Sequence, residues 1–386
     1  MKVVIAAGGR FHAFHLAHQL EKRDVLKKLY TASYTNKDKA YVSNNFVKKN
    51  YSFDFFATIF SRFRFHKFFN KSKLHVFTDK VFDKWLSKRI AQEGKIDIFV
   101  GWANYFLNSI DQIKKTGAKI IVECGSTHIK EQQKLLKEEY QRFGLNMEPI
   151  CKQNLEKILA EYEAADYIMT CSGFTYRSFI KHGIDQNKIL KVPYGVDLDS
   201  FINVEKKMDG KFRVICVGLM CLRKGIPYLL QAWKKLNLPI DSTELLLVGN
   251  VQKDLMFFLK NFTLPKNVIF YGSTDRITLF NLYAKSSLFV LPSIEEGLSM
   301  TIAEAMASSL PVLCTTNTGG EELIENEKQG FVVPIRDIDI LAEKILWCYQ
   351  NQNICEQMGL SAKQKVQNFT WDVYGQKIYE EYKKII

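Results

Sequence analysis

Residues 291–307 read Leu291-Pro-Ser-Ile-Glu-Glu-Gly-Leu-Ser-Met-Thr-Ile-Ala-Glu-Ala-Met-Ala307. The apolar run that ends at Leu291 is a strand, Gly297 marks a loop, and a helix is expected over 298–308. Glu296 falls in the loop and Glu304 inside the helix. Were most of the interval helical, the two carboxylates would stand ~12 Å apart along the axis at ~1.5 Å rise per residue. The helix start between them offers unpaired backbone N–H groups and the positive end of the dipole, which suits a diphosphate. The plainer reading is a pair of glutamates favoured by the dipole. Against it, Glu304 stands among Ile302, Ala303, Ala305 and Met306, where a carboxylate is costly to bury without a partner.

The same strand–loop–helix grammar runs outward. Residues 310–323 carry a second strand into the Gly319–Gly320 pair, which permits close backbone approach to a ligand or simply a tight turn. Strands are expected at 3–7, 96–102, 119–123, 167–171 and 189–192, with helices at 129–143 and 147–165. After a break, strands are expected at 212–218, 244–249, 268–272, 288–291, 311–315 and 330–334. Helices are expected there at 226–235, 278–284, 298–308, 339–350 and 374–386. This alternation predicts two α/β domains with parallel sheets, joined near residues 193–210. A chain of 386 residues with 47% apolar and 25% charged residues supplies two cores. In open sheets of this kind ligands sit at the carboxyl ends of the strands, so the loops after strands carry the chemistry.

Composition removes several classes. The eight cysteines are dispersed without a CxxC pair, which argues against a zinc ribbon or a thioredoxin motif and suits a reducing cytosol. No apolar stretch reaches the ~18 residues of a spanning helix, and Val3–Ala7 reads as a buried strand and not a signal peptide. Residues 1–100 hold 20 Lys and Arg against 8 Asp and Glu, while the remainder is nearly balanced at 34 against 33. Such a local surplus points to one face turned towards something anionic. Gly8-Gly9-Arg10 follows the first strand, but no GxGxxG, P-loop or Asp-x-Asp occurs, and no metal site is expected. His12, His15 and His18 follow at helical spacing and read as one helix face.

As an ordered set these segments resemble the retaining glycosyltransferases of family four, which have the GT-B fold of two Rossmann-like domains facing across a cleft. The likeness rests on the E-x7-E pair Glu296/Glu304, residues 310–324, and Gly330-Phe-Val-Val-Pro334. Upstream it includes Glu163-Ala-Ala-Asp-Tyr-Ile168, Ser172, Lys188-Ile-Leu-Lys-Val-Pro-Tyr-Gly-Val-Asp-Leu198 and Val217-Gly-Leu-Met-Cys-Leu-Arg-Lys-Gly225. It is dense over 160–386 and thinner over 1–150. The resemblance implies an acceptor-binding domain at 1–200 and a nucleotide-sugar domain at 205–369. It also implies a helix over 370–386 that crosses back, with Trp371 and Tyr374 as anchors.

The resemblance also implies roles. Glu304 would bind the ribose hydroxyls and Glu296 the donor sugar. The amides of Gly297, Leu298 and Ser299 would hold the distal phosphate. Lys224 would neutralise the departing diphosphate, which helps deprotonate the incoming hydroxyl. Leu219 occupies the place where the family often keeps a second basic residue, and Arg223 is the substitute at hand. Gly8 and Gly9 would lie over the donor phosphates, and His128, just after a strand end, would stand near the donor sugar. The expected catalytic set is therefore Glu296, His128 and Lys224.

The basic surplus concentrates in residues 51–80, where phenylalanines interleave with Arg62, Arg64, Lys67 and Lys71. That mixture suits an anionic membrane interface, and equally an amphipathic pair packing its aromatics inward. No nucleic-acid module accompanies it, so no nucleic-acid partner is expected. The reading is a cytoplasmic retaining transferase, peripheral on the inner membrane face. It would move a sugar from a nucleotide-diphosphate donor to a glycan or lipid-linked acceptor in polysaccharide synthesis, with no cofactor. The alternatives are a nucleotide-sugar epimerase of similar fold and a non-catalytic partner subunit.

Overall fold

The computed structural model describes residues 1–51, 71–198, 201 and 209–386, and only the backbone of 71–75. Seven parallel strands form the first sheet: β1 (Val3–Ala7), β2 (Leu26–Thr31), β3 (Val47–Lys49), β4 (Ile98–Trp102), β5 (Lys119–Cys124), β6 (Tyr167–Thr170) and β7 (Ile189–Lys191). Their order is β3-β2-β1-β4-β5-β6-β7. Six parallel strands form the second: β8 (Phe212–Val217), β9 (Thr243–Val248), β10 (Val268–Gly272), β11 (Leu288–Leu291), β12 (Val312–Thr315) and β13 (Gly330–Val333), in the order β10-β9-β8-β11-β12-β13. The central strands β1, β4, β8 and β11 are buried at every residue. Strands covered by helices on both faces read as unbroken apolar runs, as these do.

Five helices bear on the site: α1 (Ala13–Glu21), α2 (Ile129–Arg142), α3 (Gly173–Lys181), α4 (Met300–Ala307) and α5 (Trp371–Lys384). α5 follows the second domain in the chain but packs on α1 of the first. A Cβ on Gly375 would lie 2.4 Å from Gln19, and Lys22 pairs with Asp372 at 2.6 Å. The chain passes between domains twice, side by side. The Val196 amide donates to the Phe369 carbonyl at 2.8 Å, and a Cβ on Gly195 would stand 2.5 Å from the Trp371 backbone.

The carboxyl ends of both sheets meet. Gly297, after β11, approaches the loop after β5 so closely that a Cβ there would lie 2.0 Å from the Gly125 carbonyl oxygen. Polar groups fasten this contact. Ser172 Oγ donates to the Gly297 carbonyl at 2.7 Å, and the Gly173 amide at the start of α3 donates to Glu322 at 2.6 Å. Arg177 holds both oxygens of Glu321, and Arg336 reaches back to Glu138 and Glu139. The structure is thus a closed arrangement of the two domains. No described helix is long and apolar enough to cross a membrane.

Candidate functional site

The second-domain half of the site is built where β8 and β11 end. Gly218 closes β8 at φ 143, and the aliphatic stem of Lys224 lies 3.3 Å from where its Cβ would be. This folds the lysine over the strand end. Its Nζ stands 2.8 Å from Glu296 Oε1, and Arg223 Nη1 stands 2.7 Å from the same oxygen. One carboxylate is therefore the counter-charge of both cations. Burial opposes the charge on Arg223, but Glu296 and Glu295 more than offset it and hold its pKa above the usual value. Leu219 is 48% exposed and makes no basic contact, so Arg223 is the second cation of the cluster.

α4 starts at Met300, not 298, because Ser299 is extended (φ −78°, ψ 113°). Only the second half of the interval between Glu296 and Glu304 is helical. The Ser299 amide donates to the Thr318 carbonyl at 3.1 Å and the Glu296 amide to Asn317 at 2.9 Å. Ser299 is therefore not one of the open amides the sequence suggested. The amides of Gly297 and Leu298 donate to no group among the described residues. Glu304 lines a cavity of about 350 Å³ between the domains, with Leu298, Met300 and Arg276 on one side and Phe11, His12, His15 and Tyr194 on the other. Burial raises its carboxyl from 4.5 to about 7; Arg276 and a long contact to the Tyr283 hydroxyl at 3.5 Å offset little of it.

The first-domain half is an adjoining cavity of about 360 Å³. Trp102, Tyr105, Tyr162 and Tyr194 give it aromatic walls, and Glu123 and His12 stand on its floor. His12 Nε2 lies 2.9 Å from Glu123 Oε1, which also accepts from Tyr194 Oη at 3.3 Å. Gly8 ends β1 against the Tyr105 ring, where a Cβ would clash at 2.0 Å; Gly9 is similarly tight against Phe11. The two glycines thus shape this wall. The stripe His12, His15, His18 does different work at each place. His15 stacks on Trp371 at 4.0 Å, and burial lowers its pKa to about 4. His18 Nδ1 lies 2.6 Å from the Tyr41 carbonyl.

His128 is a correction. β5 ends at Cys124, and residues 125–127 carry the chain past the cleft, so His128 becomes the N-cap of α2. It is 2% exposed, its Nδ1 accepts from the Lys130 amide, and its ring stacks on His182 at 4.5 Å. Burial lowers its pKa to about 3. Thr127 and Ile129 line the cavity in its stead. The sequence reading gave His12 only as part of a helix face and did not single out Glu123 or Glu295. Glu295 is wholly buried; Oε1 accepts from the Thr127 amide and hydroxyl and Oε2 from Gln132, tying the two domains. The available signal was a carboxylate inside an apolar strand for Glu123 and the doubled acid for Glu295. Arg62, Arg64 and Lys67 lie outside the described residues, and of Lys71 the structure describes only the backbone at the start of the helix Lys71–Ile90.

Two parallel-sheet α/β domains facing across a cleft are the architecture of the GT-B fold. Residues 198–365 match the family Glycosyl transferases group 1. The chain is 25% identical over 233 residues to the capsular polysaccharide biosynthesis glycosyltransferase CapM of Staphylococcus aureus, covering 55% of this chain and 60% of that one. It is 30% identical over 171 residues to an Escherichia coli UDP-Gal:alpha-D-GlcNAc-diphosphoundecaprenol alpha-1,3-galactosyltransferase, covering 40% and 44%. The match spans about half the length of these curated relatives. The structure of sucrose-phosphate synthase from Thermosynechococcus elongatus superposes with a TM-score of 0.73 at 16% identity, over 100% of this chain and 99% of that one, a likeness of fold.

Proposed function

We propose that this protein transfers a sugar from a nucleotide-diphosphate donor to a glycan or lipid-linked acceptor, with retention at the anomeric carbon and without a metal. The observation that carries the reading is the Arg223–Lys224 pair converging on one oxygen beside the open amides of Gly297 and Leu298. A diphosphate brings two negative charges to such a place, and charge-assisted hydrogen bonds of this kind contribute roughly 1.5–3 kcal/mol each. Glu304 would accept from the ribose hydroxyls, and Glu296, released from the cations, from the donor sugar. Catalysis then consists of holding the acceptor hydroxyl on the face from which the diphosphate leaves and stabilising charge on that leaving group. The aromatic first-domain cavity would hold the acceptor. Relatives named for capsular polysaccharide and diphosphoundecaprenol-linked sugars support an acceptor of that kind. Arg62, Arg64, Lys67 and Lys71 would bring the cleft to an anionic membrane, a step lost in a fourfold change to Glu that abolishes vesicle binding.

The test is a thermal-shift panel of UDP, GDP and ADP, with NAD as control, on wild type and Glu304→Ala. One diphosphate raises the midpoint, and the variant loses most of the shift. No shift with any diphosphate, or a shift with NAD alone, refutes the reading.

A further inference from the structure

His12 is shared by both cavities: it lines the aromatic one of the first domain and the one that reaches Glu304. It stands at the border of the two cavities, between the aromatic walls of the first domain and the side of Glu304. Its orientation is fixed on three sides. Tyr194 packs against the ring at 4.0 Å, Trp102 at 4.9 Å, and Glu123 accepts at Nε2. A carboxylate on one ring nitrogen keeps the proton there and leaves the other nitrogen with its lone pair. Nδ1 of His12 bonds to no group among the described residues. Glu123 itself is 1% exposed, and its Oε2 is buried without a partner. A carboxylate so placed is costly unless it does something that a neutral side chain cannot. The hydroxyls of Tyr374 and Tyr382 on α5 are buried and unpartnered too, and the charge of Glu123 is among the causes that raise both.

We propose that His12, oriented by Glu123, binds the attacking hydroxyl of the acceptor and takes its proton. In the step, the acceptor oxygen forms its bond to the anomeric carbon while the bond from that carbon to the diphosphate breaks. The electron pair leaves on the diphosphate beside Lys224 and Arg223. The hydroxyl proton passes to Nδ1, the imidazolium is balanced by Glu123, and the proton is released to water after the product departs. The inference rests on the transferase reading and moves the proton from the leaving diphosphate to an imidazole. The titratable and charged groups around His12 are Glu123 of β5, Tyr194 after β7, His15 one turn along α1 and Tyr374, whose ring packs on Tyr194 at 6.2 Å. Across the shared cavity stand Asp197, Arg276 and Glu304.

The experiment measures nucleoside diphosphate release from UDP-, GDP- and ADP-sugars, with water or octyl glycosides as acceptors, across pH. His12→Gln should lower kcat by about 10²–10⁴-fold, the range for a lost general base, with donor KM little changed. Glu123→Gln should lower kcat too, because the imidazole loses the carboxylate that fixes its tautomer, and should also move the acidic limb of the wild-type profile to lower pH, because the imidazolium loses its counter-charge. A merely structural pair would lower activity equally at every pH. An active wild type with His12→Gln equal to it, or with Glu123→Gln leaving the limb in place, overturns the inference and spares the transferase reading. A wild type that releases diphosphate from none of these donors overturns both. Where His12→Gln fails to fold, the limb in Glu123→Gln decides alone.

Discussion

Replacing Glu304 by glutamine separates what the cleft needs for folding from what it needs for binding. The side chain keeps its shape and loses its charge. In the folded protein burial lifts the Glu304 carboxyl from 4.5 to about 7, and its closest partner is a hydroxyl at 3.5 Å. A carboxyl whose folded pKa is raised contributes stability that is full below the unfolded value and is lost as pH rises through the folded one. A rise of this size corresponds to about 3 kcal/mol. At pH 5 both folded proteins carry a neutral group, and with the unfolded carboxyl part-way through its ionisation they should differ by less than about 1 kcal/mol. At pH 8 the wild type carries an ill-compensated charge, and Glu304→Gln should be more stable by on the order of 2–3 kcal/mol. For a domain of this size that is roughly 5–10 °C in the melting midpoint. Thermal melts at pH 5, 6, 7 and 8 read the gap directly. The same variant should lose most of the midpoint rise that a nucleoside diphosphate gives the wild type. A gap that does not open between pH 5 and 8, or a variant less stable at pH 8, refutes the account of this carboxylate.

Other changes test other parts of the cleft. Lys224→Ala should weaken diphosphate binding by at least tenfold in calorimetry while leaving the unliganded fold intact, since Arg223 still balances Glu296. Gly297→Ala places a methyl 2.0 Å from the Gly125 carbonyl and should hold the domains apart, seen as a larger radius of gyration in solution scattering. Glu295→Ala leaves the Thr127 and Gln132 donors unsatisfied at about 1–3 kcal/mol and should speed hydrogen exchange at the Thr127 amide.

Much of the fold was legible because the buried strands are continuous apolar runs; β1, β10 and β11 have the ends that the sequence suggested. β2 and β3 were missed. Leu26-Lys-Lys-Leu-Tyr-Thr31 and Val47-Lys-Lys49 set pairs of lysines into short strands towards the sheet edge, where stems pack and charges reach water, so the apolar signal is broken. The helix expected over 147–165 starts at Lys152, because Pro149 stands in its would-be first turns. In the second domain Glu296, Gly297, Leu298 and Glu304 share one segment, whereas Arg223, 73 residues before Glu296, and Lys224 beside it meet that carboxylate only in the fold. The first-domain cavity is likewise made by the fold, since Glu123 and His12 are 111 residues apart and the sheet brings them together. His128 misled because a histidine just past a strand end looks like a cleft residue. Three loop residues are enough to turn it into a helix cap.

The double passage at Val196 and Phe369 has a consequence for how the molecule is made. On a ribosome the whole second domain emerges before α5 does. Until then the first domain lacks the helix that covers Gln19 and supplies Tyr374, Ile378 and Tyr382 to its core. The domain started first is thus the one finished last, and premature termination near residue 370 would injure the amino-terminal half of the molecule more than the half just synthesised.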